Sequence, residues 1–197
     1  MSKEENRIRF FLKRLFLKML GYKNAHKYWQ VHWRLSPYSS KLSLETDRKI
    51  LEFVRMVMNE YECGNIIDIG CGRAYCRELP GYLGIDFSME GLKRSELPEF
   101  LFADITRRIP LPDKIFDAAL VSAVLIHIPN EKIEKAFSEI SRVVKKVIIL
   151  NEPAYGMGDL KRKSHVFSHN LVELFSKHFS GDLVFLNESL RIKGCSD

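Results

Sequence analysis

The ten residues Asn65–Ala74, which read N-I-I-D-I-G-C-G-R-A, constrain the fold of this chain more than any other stretch. Three β-branched isoleucines around an acid predict a strand buried on both faces, as in a parallel sheet. Gly70 and Gly72 follow at once, and glycine permits both a sharp turn and the close approach of a ligand to bare backbone. Asp68 lies at the mouth of this turn. The stretch therefore predicts a strand, a glycine turn and a ligand-binding edge.

Apolar runs that end in polar residues alternate with helical segments along the rest of the chain. The predicted strands are 66–69, 82–85, 100–103, 115–121, 146–150, 183–186 and 190–193, and the predicted helices are 44–61 (capped by Ser43), 75–79, 89–97, 130–144 and 168–179. Strands that alternate with helices are joined by right-handed crossovers into a parallel sheet. The sequence predicts an α/β fold with a doubly wound, mostly parallel seven-stranded sheet.

The composition is that of a folded, water-soluble domain, because 46% of the 197 residues are hydrophobic and 28% are charged. A chain of this length is long enough to bury a core of its own. No uncharged apolar run approaches the roughly 18 residues of a membrane span, so none is predicted. The four cysteines form no C-x-x-C pair, which favours reduced thiols and a cytoplasmic location.

Positive charge is concentrated in the first quarter of the chain. Residues 1–49 hold 12 Lys or Arg and 4 Asp or Glu, a balance of +8, whereas residues 50–197 hold 19 and 21, a balance of −2. Because most of the chain is slightly acidic, a fold-wide surface for nucleic acid is not favoured. We predict two parts, a basic helical extension at 1–41 and a ligand-binding domain at 42–197.

The extension carries two features of interest. Apolar residues recur at helical spacing over 7–20, with basic residues on the other faces, which predicts an amphipathic helix. That helix either docks on the domain or binds an anionic membrane surface or an acidic partner, which would make the protein peripheral to a membrane. Trp29 and Trp33 are four residues apart and so share one helical face. They form either a packed aromatic patch or a flap over a small-molecule site, and they are candidate acceptor contacts.

An ordered series of short motifs runs through the core of the chain. It comprises Ile67–Gly72, Gly84–Ser88, Ala103–Ile105, Pro110–Asp117, Ala123–Pro129 and Glu139–Val143. Each piece is loose, but in this order and spacing the series resembles the class I S-adenosylmethionine-dependent methyltransferases of the broad type 11 group. The resemblance departs at Ala74, where the family has its third glycine, and at Lys145-Lys146, where it has two glycines before the fifth strand.

The resemblance implies S-adenosylmethionine as the cofactor and a role for each matched position. The implied contacts are Asp68, Gly70, Cys71 and Gly72 at the methionine end, Asp86 at the ribose, Phe87, Asp104 and Ile105 at the adenine, and Ser122 beside the sulfonium. For any one of the carboxylates, the alternative is an acid that caps a turn or lies at the surface. Three acids at three successive strand ends favour the cofactor roles over that alternative.

Methyl transfer from a sulfonium requires a protein to align the acceptor and to exclude water. A base is needed only when the acceptor carries a proton of high pKa, as a hydroxyl does. His127, directly after the fourth strand, is the candidate catalytic base, and a structural histidine held in its turn is the alternative. Weaker candidates are Glu152, Tyr155, His165 and His169, of which Tyr155 is also a candidate acceptor contact. His165 and His169 lack a third ligand, so no metal site is predicted.

Motifs that the chain lacks narrow the acceptor. No Asn/Asp-Pro-Pro-aromatic motif follows the fourth strand and no Pro-Cys occurs, which counts against exocyclic-amine and cytosine C5 methylation. We expect O-methylation of a small-molecule, lipid or sugar acceptor, with RNA or protein methylation as one alternative. A partner subunit that binds the cofactor without turnover is another. A nicotinamide dehydrogenase is disfavoured, because its third glycine would stand at Tyr75.

Overall fold

The computed structural model describes residues 29–30, 32–33, 41–95, 97–152, 167–186 and 191–192. The amphipathic helix predicted at 7–20, together with Tyr155 and His165, lies outside the described residues. The first long described helix begins at Lys41, and the division of the chain into an extension and a domain stays a prediction.

The centre of the molecule is a seven-stranded sheet, as the sequence predicts. Its strands are β1 (Ile66–Ile69), β2 (Tyr82–Asp86), β3 (Phe100–Phe102), β4 (Phe116–Ser122), β5 (Val144–Asn151), β6 (Asp182–Phe185) and β7 (Arg191–Ile192). The order is β3-β2-β1-β4-β5-β6-β7, parallel throughout except for the antiparallel β7. The strand order reverses between β1 and β4, and ligands of doubly wound sheets bind at the carboxyl ends of the strands beside such a reversal.

Helices cover both faces of this sheet. They are α1 (Lys41–Glu60), α2 (Met89–Ser95), α3 (Asn130–Val143) and α4 (Leu171–His178), and a short 3-10 helix spans Leu125–His127. The apolar stripe of α1 clusters with Ile66 and Leu120 on one face. The stripes of α3 and α4 cluster with Ile69 and Val121 on the other. Because β1 is buried on both faces, its side chains divide between two cores, which explains its nearly unbroken apolar sequence.

Three local predictions are wrong. Residues 75–79 form turns rather than a helix, because five residues before a proline cannot repay the cost of helix nucleation. Helix α1 begins at Lys41, so Ser43 lies inside it and is not its cap. Helix α4 begins after Asn170, whose side chain accepts a hydrogen bond from the Glu173 amide at 3.2 Å, rather than at residue 168.

No helix in the described part of the chain is long and apolar enough to cross a membrane.

Candidate active site

The glycine turn after β1 has the backbone geometry that its sequence predicts. Gly70 and Gly72 have φ angles of 67° and 51°, in the left-handed region that glycine adopts at little cost. The amides of Gly70 and Cys71 both donate to the Ile85 carbonyl, at 2.8 and 3.0 Å, which ties the turn to β2. Ala74, where the family's third glycine would stand, also has a left-handed φ of 53°. The turn therefore keeps the glycine conformation at a residue that has a side chain.

Asp86 fixes the end of β2 against this turn. Its carboxylate is 7% exposed and accepts from the Gly72 amide at 3.0 Å and from the Ser88 amide at 2.7 Å. Burial raises the pKa of Asp86, while the amide hydrogen bonds act to lower it. A carboxylate has about four acceptor positions, so the amides of Gly72, Ser88 and Phe87 still leave room for a ribose hydroxyl. The ribose role of Asp86 stays a prediction, and the structure adds a second role in ordering the turn.

Asp68 is a buried acid at the carboxyl end of β1. It is 2% exposed and accepts a 2.6 Å hydrogen bond from the Tyr82 hydroxyl. The pKa of Asp68 is raised to about 7, mainly by burial and to a lesser degree by the charge of Asp86, while the Tyr82 bond acts to lower it. A carboxyl that is costly to ionise in a low-dielectric site gains most from a bound cation. Asp68 is therefore suited to an ammonium group.

Tyr75 is a site residue that the sequence reasoning missed, because it was considered only as the position of an absent glycine. Its buried hydroxyl has no hydrogen-bond partner among the described residues. Burial and the charge of Asp68 raise the pKa of Tyr75, and the nearby Ser122 hydroxyl acts in the opposite direction. An orphaned donor close to the Asp68 acceptor fits a ligand end that carries both a positive and a negative charge. The amino-acid end of S-adenosylmethionine has both.

The residues assigned to the adenine are more buried, or more engaged in hydrogen bonds within the chain, than the sequence suggests. Asp104 Oδ1 accepts from the Thr106 amide at 2.9 Å and from its hydroxyl at 2.8 Å. Ile105 is 8% exposed and belongs to the apolar core, so little of its side chain faces solvent. Phe87 is half-buried beside Asp86. All three adenine roles stay predictions, and that of Ile105 is the one that its burial favours least.

The turn after β4, residues Val124–Ile128, carries His127 and is named the His127 turn below. Just before it, Ser122 accepts from the Asn151 side chain at 2.8 Å. Glu152, one of the weaker base candidates, is 1% exposed and accepts from the amides of Val124, Leu125 and Ile126. Burial raises the pKa of Glu152 to about 7, although these three amides act to lower it. Its oxygens serve the backbone, so the structure argues against Glu152 as a base.

His169, another weak candidate, is also committed to the His127 turn. Its Nε2 donates to the carbonyls of Leu125 and Ile128 at 3.0 and 2.9 Å. Burial lowers the pKa of His169, and the two carbonyls act to raise it. His169 is thus a structural residue in this arrangement. No cluster of three metal-binding side chains occurs in the part of the chain that the structure describes.

The four described helical residues Trp29, Gln30, His32 and Trp33, named the aromatic segment below, lie over the glycine turn and the His127 turn. A β-carbon added at Gly72 would lie 2.6 Å from Cζ2 of Trp33, so the indole rests directly on the turn. The Gln30 side chain accepts from the Glu90 amide at 3.2 Å, at the start of α2. The Trp29 and His127 rings meet edge to face at 4.8 Å. The flap interpretation of the tryptophans is therefore favoured over an isolated aromatic patch.

A second connection holds the glycine turn from α1. Arg73 donates to Asp47 at 2.7 Å, and both side chains are about four-fifths buried, at 22% and 19% exposed. No local sequence signal pairs these residues, because they are 26 positions apart. The turn is consequently held on three sides, by β2, by α1 and by the aromatic segment.

Comparison with known proteins gives the same family as the motif series. Residues 67–149 match the Methyltransf_11 family model, described as a methyltransferase domain. No curated protein sequence matches the chain. Magnesium protoporphyrin IX methyltransferase from Synechocystis PCC 6803, solved with bound SAH, is similar in structure at 15% identity and a TM-score of 0.57, over 80% of this chain and 85% of that chain.

Two further solved structures are similar. The methyltransferase domain of bacterial CtHen1-CN matches at 18% identity and a TM-score of 0.51, over 68% of this chain and 86% of that chain. A S-adenosylmethionine-dependent methyltransferase from Clostridium acetobutylicum ATCC 824 matches at 20% identity and a TM-score of 0.45, over 50% of this chain and 46% of that chain. The chain thus spans about half the length of this last protein.

At these identities the two structures with TM-scores above 0.5 show the fold alone. The matched family model covers β1 to most of β5, which is the part of the chain that holds the glycine turn and the three acids at strand ends. Residues 67–149 of this chain therefore match a methyltransferase domain and have the class I fold, and the cofactor that this match implies is S-adenosylmethionine.

Proposed function

We propose that this protein is an active O-methyltransferase whose acceptor is a hydroxyl of a small molecule, a lipid or a sugar. The observation that carries the proposal is the position of His127. It lies on the short turn after β4, whose backbone is fixed from two sides, and its ring lies against Trp29 of the aromatic segment. A histidine at this place lies beside the region between the aromatic segment and the carboxyl ends of the strands.

When bound, S-adenosylmethionine supplies a methyl group already activated as a sulfonium. The chain's own part is to hold that cofactor and to keep water out. Asp68 and the Tyr75 hydroxyl fit the two charges of its amino-acid end, and Asp86 fits its ribose. Trp33, whose indole rests on the turn at Gly72, covers the same place from outside.

A hydroxyl acceptor adds one requirement, because its proton must leave as the oxygen gains the methyl group. We assign that proton to an imidazole nitrogen of His127, from which it passes to solvent. The two titratable side chains that hold the His127 turn bind its backbone, since Glu152 accepts from three amides and His169 donates to two carbonyls. An amine acceptor would not need this base.

The test is a turnover assay with S-adenosylmethionine and a panel of hydroxyl, amine, RNA and protein acceptors, read as production of S-adenosylhomocysteine. With a hydroxyl acceptor, His127→Ala should lower kcat by about a hundredfold or more and leave S-adenosylhomocysteine affinity unchanged. The control is His178→Ala, which removes a histidine at the end of α4 beside Glu134 and should not change kcat.

Each contrary outcome points to a different alternative. An unchanged kcat in His127→Ala would return His127 to a structural role. Turnover confined to RNA or protein would replace the acceptor class. Cofactor binding without turnover on any acceptor, alone or with copurifying proteins, would indicate a non-catalytic partner subunit.

A further inference from the structure

A carboxylate from the neighbouring strand end organises the backbone of the His127 turn. Glu152 follows β5 directly, 1% exposed, and accepts from three successive amides, those of Val124, Leu125 and Ile126. The Leu125 and Ile126 distances are 2.8 and 3.4 Å. These amides begin the 3-10 helix that carries His127, and the first amides of a helix have no partner within the helix. One buried side chain satisfies them together.

The carbonyls of the same turn are held by the segment before α4. His169 Nε2 donates to the Leu125 and Ile128 carbonyls, and the Phe167 amide donates to the Ile126 carbonyl at 2.8 Å. The amides of the His127 turn are therefore held by Glu152, and its carbonyls by His169 and Phe167, all of which are distant in sequence. The turn's backbone has little freedom left, and His127 is the member whose ring contacts the aromatic segment.

A carboxylate suits this position better than an amide side chain. Both of its oxygens accept, whereas glutamine would present one oxygen and one NH₂ donor to a row of N–H groups. The NH₂ group of glutamine would face backbone N–H groups that also donate. Either the side chain or the turn must then rotate to avoid this contact. The charge itself therefore contributes to the geometry of the backbone.

We propose that Glu152 is a positioning residue, which acts through the backbone of the His127 turn to set where the His127 imidazole stands against Trp29 and the incoming acceptor. The effect of Glu152 on catalysis rests on the proposed function, in which His127 is the base. The effect of Glu152 on the position of the His127 ring does not depend on that role, and it can be measured without any acceptor.

The chain offers a matched control in its other well-described buried glutamate. Glu139 of α3 is 4% exposed and accepts from the Ile109 amide at 3.0 Å and from Arg142 at 2.8 Å. It has the same chemistry as Glu152 but belongs to no part of the His127 turn. Glu139→Gln should destabilise the fold without moving His127.

The assay uses the fluorescence of Trp29. The sequence contains two tryptophans, so Trp33→Phe leaves Trp29 as the sole reporter. Its indole meets His127 at 4.8 Å and His32 at 5.0 Å between ring centroids. Protonated imidazole quenches an indole in contact with it, and histidine charges between about pH 5 and 8. The pH-dependent change in Trp29 fluorescence that His127→Ala abolishes is named the His127 step. It excludes the changes caused by His32 and by other groups.

In the Trp33→Phe background, we expect Glu152→Gln to reduce the amplitude of the His127 step by half or more, and Glu139→Gln to leave it unchanged. Circular dichroism checks that each variant is folded. If Glu152→Gln does not fold, Glu152→Asp keeps the charge but shortens its reach, and it should reduce the step in the same direction. Once an acceptor is known, the folded variant should lower kcat about tenfold to a hundredfold with an unchanged Kd for S-adenosylhomocysteine.

A His127 step of normal size and midpoint in folded Glu152→Gln or Glu152→Asp would overturn the proposal. So would the absence of any His127 step in the Trp33→Phe protein, because the contact that defines the position would then be missing. Failure of His127 as a base shows separately, as an unchanged kcat in His127→Ala, and leaves the fluorescence result standing.

Discussion

The carboxylate of Asp86 has two roles, one in the backbone of the glycine turn and a predicted one in cofactor binding. A single conservative substitution tests both. It accepts from the amides of Gly72 and Ser88, and it is the residue assigned to the cofactor ribose. Asp86→Asn keeps the shape of the side chain and one acceptor oxygen. The other oxygen becomes an NH₂ that faces an amide N–H, so at least one backbone bond is lost.

The expected loss of stability follows from the fact that the lost hydrogen bond is made to a charged group. A hydrogen bond to a charged group contributes about 1.5–3 kcal/mol, and we expect Asp86→Asn to lower the free energy of unfolding by about that amount. Loss of the charge toward the ribose, together with a less ordered turn at Gly72, should weaken S-adenosylhomocysteine binding by a similar free energy. That corresponds to roughly a 10- to 150-fold higher Kd.

Urea unfolding and calorimetric titration with S-adenosylhomocysteine measure the two effects separately. The matched control is Asp117→Asn, because Asp117 accepts from the Gly64 amide at 2.9 Å near the opposite end of the sheet. This control should lose stability but keep its Kd within about twofold. Normal affinity in Asp86→Asn, or an equal loss of affinity in Asp117→Asn, would refute the reasoning.

Three further predictions follow from charges elsewhere in the chain. Burial alone would raise the pKa of Glu139, but hydrogen bonds led by Arg142 lower it to about 2. Its contribution to stability is therefore complete above the unfolded pKa, ordinarily about 4.3, and is lost as pH falls toward 2. Urea midpoints should show a flatter acid limb in Glu139→Gln. Because the pKa of Asp68 is raised to about 7, S-adenosylhomocysteine affinity should increase from pH 6 to pH 8 as that carboxyl ionises, and Asp68→Asn should lack the increase in calorimetry. Deletion of residues 1–22 should leave the Kd for S-adenosylhomocysteine unchanged and abolish salt-sensitive binding to anionic vesicles, since each Lys or Arg contributes about 1 kcal/mol at such a surface. Loss of folding or of cofactor affinity in the truncated protein would instead make the segment part of the core.

The sequence alone could predict that Asp86→Ala acts on cofactor binding far more than on folding, but the structure revises this expectation. The carboxylate also orders the glycine turn through the Gly72 amide. A residue with a ligand role and a backbone role cannot be substituted without affecting both. The conservative Asp86→Asn variant and its control are therefore more informative than the alanine variant.

The parts of the fold that the sequence predicts well are those that depend on local composition. Strand β1 is fully buried and β4 is buried except at Asp117 and Ser122, and parallel strands of this kind appear as nearly continuous apolar runs. Helix α3 is predicted to within a residue at its C-terminus, because its apolar residues recur at helical spacing after Pro129.

The parts that could not be predicted depend on contacts between distant segments. Glu152 reads as a free loop acid, and only the sheet brings it to amides 26 to 28 positions away. From sequence Trp33 belongs either to a packed aromatic patch or to a flap, and only the structure places its indole on Gly72 and Gly91. The orphaned hydroxyl of Tyr75 has no local signature. Such contacts show which candidates bind the backbone, as Glu152 does with three amides.

Calorimetric titration of the intact protein with S-adenosylhomocysteine, with NADH as the control ligand, tests the central claim most directly. The glycine turn, the Asp68 and Tyr75 pair and the carboxylate of Asp86 predict a Kd on the micromolar scale for S-adenosylhomocysteine and no heat from NADH. Heat from NADH with none from S-adenosylhomocysteine would contradict the account.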